Sequence, residues 1–169
     1  APQHRNRLAS LRPAVGPVLT AVRALVLDTN IVLDLLVFQD PAIRPLQQAL
    51  TDNTLHWIAT RPMRDELARV LTYPQIARSL ARRSVDNPGT QGLPGIADPA
   101  LAVLAQFDAR VAWQAVAPKA PVTCKDPDDQ IFIDLAVAHQ ALLLSKDKEV
   151  LCMKKRLLAH AVQAQVAIN

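Results

Sequence analysis

The chain has 169 residues, half of them hydrophobic and 20% charged, which is enough to close one sizeable core as a single domain. Its formal net charge of +4 favours an anionic partner such as nucleic acid without identifying one. The scarce residues exclude more than the abundant ones suggest. Glycine occurs only at positions 16, 89, 92 and 95, so no Gly-rich phosphate cradle or dinucleotide fingerprint can be built, and no Ser has the flanking glycines of a nucleophile elbow. Cys124 and Cys152 are far apart in sequence and form no C-x-x-C, which argues against zinc ribbons and redox motifs and fits a reducing, cytoplasmic compartment. Aromatic residues make up 4%, too few for a platform that stacks successive bases. Any chemistry is left to carboxylates.

Residues 1–21 mix Arg5, Arg7 and Arg12 with prolines and no period, and are expected to form a loose N-terminal arm ahead of one domain over 22–169. The apolar run from Ala14 resembles a signal peptide, but Pro17 and Arg23 break it. No stretch is long and uncharged enough to span a membrane. Ala24–Leu27 is continuously apolar and predicts a strand buried on both faces, followed after Asp28-Thr29-Asn30 by a helix over Ile31–Phe38. Asp40-Pro41 has the signature of an N-cap and first helical residue, for a helix to about Thr51. Leu55–Ala59 predicts a second strand. Thr60 can cap the next helix, whose Met63, Leu67, Val70 and Leu71 form one stripe, and another helix is expected near Gln75–Arg83. Asp86–Gly95 is a Gly/Pro-rich loop. Asp98-Pro99 opens a helix through Leu101, Leu104, Phe107 and Val111, and Asp126-Pro127 opens another to His139. Ala141–Leu144 is a further buried strand, Lys154-Lys155-Arg156 a solvated helix face, and Val162–Ile168 a final edge strand. Strands alternating with helices predict an α/β fold: a three-layer α/β/α sandwich around a parallel, Rossmann-like sheet.

Two of these strands run into an acid, Asp28 and, through Ser145-Lys146, Asp147. Ligands of open parallel sheets bind beyond the carboxyl ends of the strands, so both acids point at the expected crevice. Taken alone, each is more readily read as a cap of the segment that follows it. Glu66 lies at the edge of its helix's apolar stripe and is either paired with a base such as Arg64 or Arg69 or directed at a cation. Asp126, Asp128 and Asp129 are all explained as a cap and first-turn acids at a helix N-terminus. However, Asp129 shares a face with Ile133 and Ala136 and is expected to point inward, with Asp128 at the rim. Asp28, Glu66, Asp129 and Asp147 gathered in one crevice would repel one another and demand cations, and an oxygen-only ligand set selects Mg²⁺ or Mn²⁺. Such a site suits metal-assisted hydrolysis of a phosphodiester.

The ordered set Leu-Asp28-Thr-Asn30, Arg-Asp-Glu66-Leu, Asp126-Pro-Asp-Asp129 and Leu-Ser145-Lys-Asp147 resembles the PIN domain family, and within it the short bacterial toxin components of toxin–antitoxin systems. The likeness runs from about Val22 to the mid-150s. It implies a metal-dependent endoribonuclease acting on single-stranded RNA, with Asp28, Glu66, Asp129 and Asp147 as catalytic metal ligands. Asn30 and Ser145 match residues that order those acids, and Asp126 and Asp128 match the acid-rich lead-in of this branch. It also implies an antitoxin as binding partner and self-association into a homo-oligomer. Lys146 stands where the family often has Gly, and the region after Leu151 matches poorly. Arg61, Arg64, Lys125, Lys146 and Lys148 flank the motifs and can hold substrate phosphates at the rim, or form a solvated face that offsets the acids. Two other readings keep the fold: a catalytically weak nucleic-acid or protein-binding module, and a Rossmann-like phosphatase. The phosphatase normally needs a second acid two residues after the first, where this chain has Asn30.

Overall fold

The computed structural model describes residues 22–86 and 98–168. The expected arm over residues 1–21 and nearly all of the expected Gly/Pro-rich loop lie outside them. Strands β1 (Arg23–Leu27), β2 (Leu55–Ala59), β3 (Ala112–Trp113), β4 (Leu142–Leu144) and β5 (Gln163–Gln165) form one parallel sheet in the order β3-β2-β1-β4-β5. The register sets Leu25 opposite Trp57 on one side and Leu142 on the other, and Leu27 opposite Leu144. Successive side chains on a strand point to opposite faces, and Leu25, Val26 and Leu27 are all buried, as are the three leucines of β4. Both faces of the central strands are therefore covered, and the helices between strands do the covering. The three-layer α/β arrangement is the one expected.

The helices are α1 (Thr29–Leu33), α2 (Arg44–Thr51), α3 (Arg61–Leu71), α4 (Pro74–Asp86), α5 (Pro99–Arg110), α6 (Gln130–His139), α7 (Lys148–Leu151) and α8 (Lys154–Leu158). The Asp-Pro signal works the same way each time. Asp40, Asp98 and Asp126 accept from the amides of Ala42, Ala100 and Asp128 at 2.9, 2.9 and 3.0 Å. At Asp40 and Asp126 the first turn is 3₁₀, Pro41–Ile43 and Pro127–Asp129, before the α-helix proper begins. Thr60 precedes α3 without a side-chain capping bond. Over α5, Phe107 meets Trp57 edge-on at 5.3 Å and Trp113 at 6.0 Å, locking this helix to the β2–β3 edge.

Several elements differ from those expected, and α7 (Lys148–Leu151) has no counterpart among them. The single helix expected over Ile31–Phe38 is α1 followed by a π-helical turn, Asp34–Phe38, that ends on Gln39 at φ 49°. Arg83 of α4 donates to the Phe38 carbonyl, satisfying one of the acceptors that the wide turn leaves free. β3 has no signal in the sequence, because two residues carry no period; its pairing with Ile58 and Ala59 defines it. The last strand is shorter than Val162–Ile168, and β5 lies at the sheet edge as expected.

Glycine scarcity leaves a mark on the helix ends. In three places an i→i+5 backbone bond closes the helix over a left-handed residue: Thr54 to Ala49, Ala141 to Ala136 and Val162 to Leu157. The left-handed residues are Asn53, Gln140 and Ala161, with φ of 55°, 49° and 60°. Glycine is the usual occupant because any Cβ costs about 1–2 kcal/mol there. Ala161→Gly should therefore stabilise the protein by about 0.5–1 kcal/mol after the entropy of Gly is allowed for, raising Tm by about 2 °C. Scanning calorimetry checks this, and a lowered Tm would show that Ala161 is not held in the left-handed region.

Candidate active site

The chain lays down β1 in the centre, builds outward through β2 and β3, and returns to place β4 against the other edge of β1. The gap beyond the ends of β1 and β4 is the topological switch point, where helices diverge and leave a crevice. Asp28 follows β1 directly, and its amide donates to the Leu144 carbonyl at 3.0 Å, so the ladder positions it at the crevice floor. Its carboxylate makes no capping bond to α1. Instead Ser145, the fully buried residue after β4, donates its hydroxyl to Asp28 Oδ2 at 2.6 Å and accepts from the Asp147 amide at 3.0 Å. One hydroxyl thus fixes a carboxylate on one strand end and the backbone of the other.

Asp147 does cap, accepting from the Glu149 amide at 2.8 Å through Oδ1. Asp126 caps in the same way through Oδ1. Neither capping role excludes another: Asp126, Asp129 and Asp147 each bring a carboxylate oxygen within 4.8 Å of the others. Asp129 is buried, and its Oδ2 has no hydrogen-bond partner among the described residues. From the opposite side Glu66, half-buried on α3, accepts from Thr29 Oγ1 at 2.7 Å through Oε2. Asp128 is exposed at the rim. Asn30 is exposed and makes no side-chain hydrogen bond among the described residues.

Burial of so many like charges shifts their protonation. The Asp129 carboxyl is pushed up to about 8, first by burial, then by the adjoining Asp147 carboxyl and the charges of Asp28 and Asp126. Burial also raises Asp28, against the lowering effect of the Ser145 hydroxyl, and raises Glu66, against that of Thr29. An unpartnered buried oxygen amid oxygen-only donors fits a hard divalent cation, which would replace the missing partner and the missing positive charge together.

The neighbouring cations divide into two groups. Arg64 makes a two-pronged bond to Asp108 of α5, at 2.7 and 3.0 Å, and Lys146 is paired with Asp34. Both are tied to scaffold carboxylates, not to Glu66 or the acidic cluster. Lys125 and Lys148 are exposed beside Asp126 and Asp147 and form no ion pair among the described residues. Arg69 shares a cleft of about 320 Å³ with Asp65, Glu66 and Asp128. The sequence singled out neither Arg69 nor Thr29 as a site residue. The position of Thr29 between Asp28 and Asn30 was the available signal.

Compared with known proteins, the chain matches the PIN domain family model over residues 24–149. A search of the curated proteins returned no match. Every acid of the site lies within the matched span.

The direction of the pH effect follows from the raised carboxyls. Between its ordinary value of 3.8 and about 8, Asp129 holds a proton in the folded chain that it loses in the unfolded one, so stability falls as pH rises through that window. With chelator present, Tm should fall from pH 5 to pH 8. Asp129→Asn should raise Tm at pH 8 by a few degrees and have less effect at pH 5. A variant that melts lower than wild type at pH 8 would mean that the carboxylate is stabilised by something other than a cation.

Proposed function

The chain belongs to the PIN domain family, whose members are in general nucleases that use divalent metal ions, and we propose that it is an endoribonuclease dependent on Mg²⁺ or Mn²⁺ that hydrolyses phosphodiester bonds in single-stranded RNA. The observation that carries this reading is the convergence of Asp126, Asp129 and Asp147 at the switch point, with Asp129 Oδ2 buried and unpartnered.

Asp28, Asp126, Asp129 and Asp147 would hold the cation, and Glu66 faces them from α3. When bound, the metal supplies a lowered pKa for an attacking water and stabilises charge that develops on phosphorus. The protein's own part is positioning. Ser145 holds the Asp28 carboxylate through Oδ2, and the capping bonds of Asp126 and Asp147 fix those carboxylates in one orientation. Thr29 donates to Glu66 Oε2 and so fixes the orientation of this carboxylate, which lines the cleft beside Asp128. Lys125 and Lys148 lie at the rim with their charges uncommitted and hold phosphates of the substrate strand. Arg64 and Lys146 contribute through the scaffold, by their bonds to Asp108 and Asp34.

The resemblance to the short bacterial branch extends the proposal to biology: a toxin component acting in the cytoplasm, inhibited by a cognate antitoxin, and self-associating. Among the described residues no helix is long and apolar enough to cross a membrane.

Purified protein incubated with single-stranded RNA and Mn²⁺ should cleave it, and chelator should stop the reaction. Asp28→Asn and Asp129→Asn should each lose at least about 10²-fold in rate, the scale of removing one preorganised electrostatic contact in an active site. Equal cleavage by the variants would assign the activity to a contaminant. Metal binding without cleavage of any RNA would favour a binding module.

A further inference from the structure

The two cysteines, distant in sequence, meet in the fold. Cys124 lies two residues before Asp126, in the irregular segment that leads into its turn, and Cys152 ends α7, whose N-cap is Asp147. Both thiols converge on one acceptor, the Glu149 carbonyl, with Cys124 Sγ at 3.7 Å and Cys152 Sγ at 3.2 Å. The sulfurs are therefore at most about 7 Å apart, against about 2 Å in a disulfide, so closing the bond requires both side chains to rotate and the backbone to move. The two differ in access: Cys124 is buried and Cys152 exposed.

The backbones behind them are held. The Cys124 amide donates to Gln130 Oε1 at 2.7 Å, while Gln130 Nε2 donates to the Val122 carbonyl at 3.0 Å and to Asp134 Oδ1 at 2.7 Å. Asp134 Oδ1 in turn accepts from the Ala120 amide at 2.8 Å. This network pins the segment to α6 and keeps Cys124 facing α7. On the other side the Cys152 amide closes α7 onto the Lys148 carbonyl at 2.9 Å, and buried Met153 anchors the next residue.

We propose that Cys124 and Cys152 are a redox pair that closes to an intrachain disulfide under a peroxide oxidant and so ties together the two segments that carry Asp126 and Asp147. The exposed Cys152 sulfur attacks the peroxide. Its S–O bond forms as the O–O bond breaks, giving the sulfenic acid and one water, with the thiol proton leaving on that water. Cys124 sulfur then attacks Cys152 sulfur. The S–S bond forms, the S–O bond breaks, and the hydroxyl leaves with the Cys124 proton as a second water. The cysteines are oxidised by two electrons and the peroxide is reduced. Because those backbones are held, drawing the sulfurs together strains the segments that orient Asp126 and Asp147, so the bond weakens divalent-cation binding. This second consequence rests on the metal-site reading above.

The test is to treat the folded, full-length chain with hydrogen peroxide, block remaining thiols, and measure intact mass and peptide linkage. The expected product is a monomer that has lost both free thiols and contains a Cys124–Cys152 peptide, reversed by dithiothreitol. Cys152→Ser should leave Cys124 unmodified, and Cys124→Ser should leave Cys152 as a sulfenic or higher acid. Overoxidation of Cys152 in wild type with Cys124 still free, or linkage only between chains, would overturn the pairing. Mn²⁺ titration of the reduced and oxidised chains then reads the consequence, with binding weakened about 10-fold or more in the oxidised form. Unchanged affinity would overturn the regulatory part. Absence of Mn²⁺ binding in the reduced chain would count against the metal site and leave the mass result standing.

Discussion

Repulsion among Asp28, Asp126, Asp129 and Asp147 is the constraint around which the crevice is organised. In water such charges would separate, but here the backbone prevents it: Asp28 is fixed by the β1–β4 ladder, Asp147 and Asp126 by the helical turns they cap, and Asp129 by the first turn leading into α6. The cost appears as the raised carboxyl pKa values of Asp28 and Asp129, driven first by burial and then by the neighbouring charges, and as a buried Asp129 oxygen without a partner. A fold that needed only caps at these positions would not have to bury the Asp129 carboxylate. Retaining the strain makes sense if a cation removes it.

The rest of the fold supplies the means. A parallel sheet buried on both faces gives rigid strand ends, and reversal of strand order at β1 opens a crevice between them. Ser145 couples the two ends through a single hydroxyl. The Arg64–Asp108 bond ties α3, which carries Glu66, to α5, and the aromatic contacts of Phe107 tie α5 to the sheet. The acid on α3 is thereby held against the strand ends by packing that has no part in the chemistry.

How much of this the sequence revealed depended on the range of the interaction. Continuous apolar runs disclosed β1 and β4, and Asp-Pro disclosed the starts of three helices, because burial on both faces and capping are local properties. The inward direction of Asp129 was legible from its three- and four-residue spacing to Ile133 and Ala136. The π turn after α1 was not, since it involves Arg83 from a distant helix. Nor were the partners of Arg64 and Lys146: charge next to a motif looks the same whether it faces a substrate or a scaffold carboxylate such as Asp108 or Asp34. Asp126 illustrates the same limit. Its capping role was visible in its neighbours, but its approach to Asp147 across the crevice required the sheet topology. The convergence of Cys124 and Cys152 on one carbonyl was hidden for the same reason.

Calorimetric titration of Mn²⁺ at pH 7, repeated in buffers of different ionisation heat, tests the cation's role most directly. With Asp129 pushed up to about 8 in the metal-free chain, binding must expel its proton, and roughly one proton should be released per cation bound. Asp129→Asn should abolish that release and weaken binding. Tight binding with no proton release, or none that depends on Asp129, would mean that the buried carboxylates are not what holds the ion.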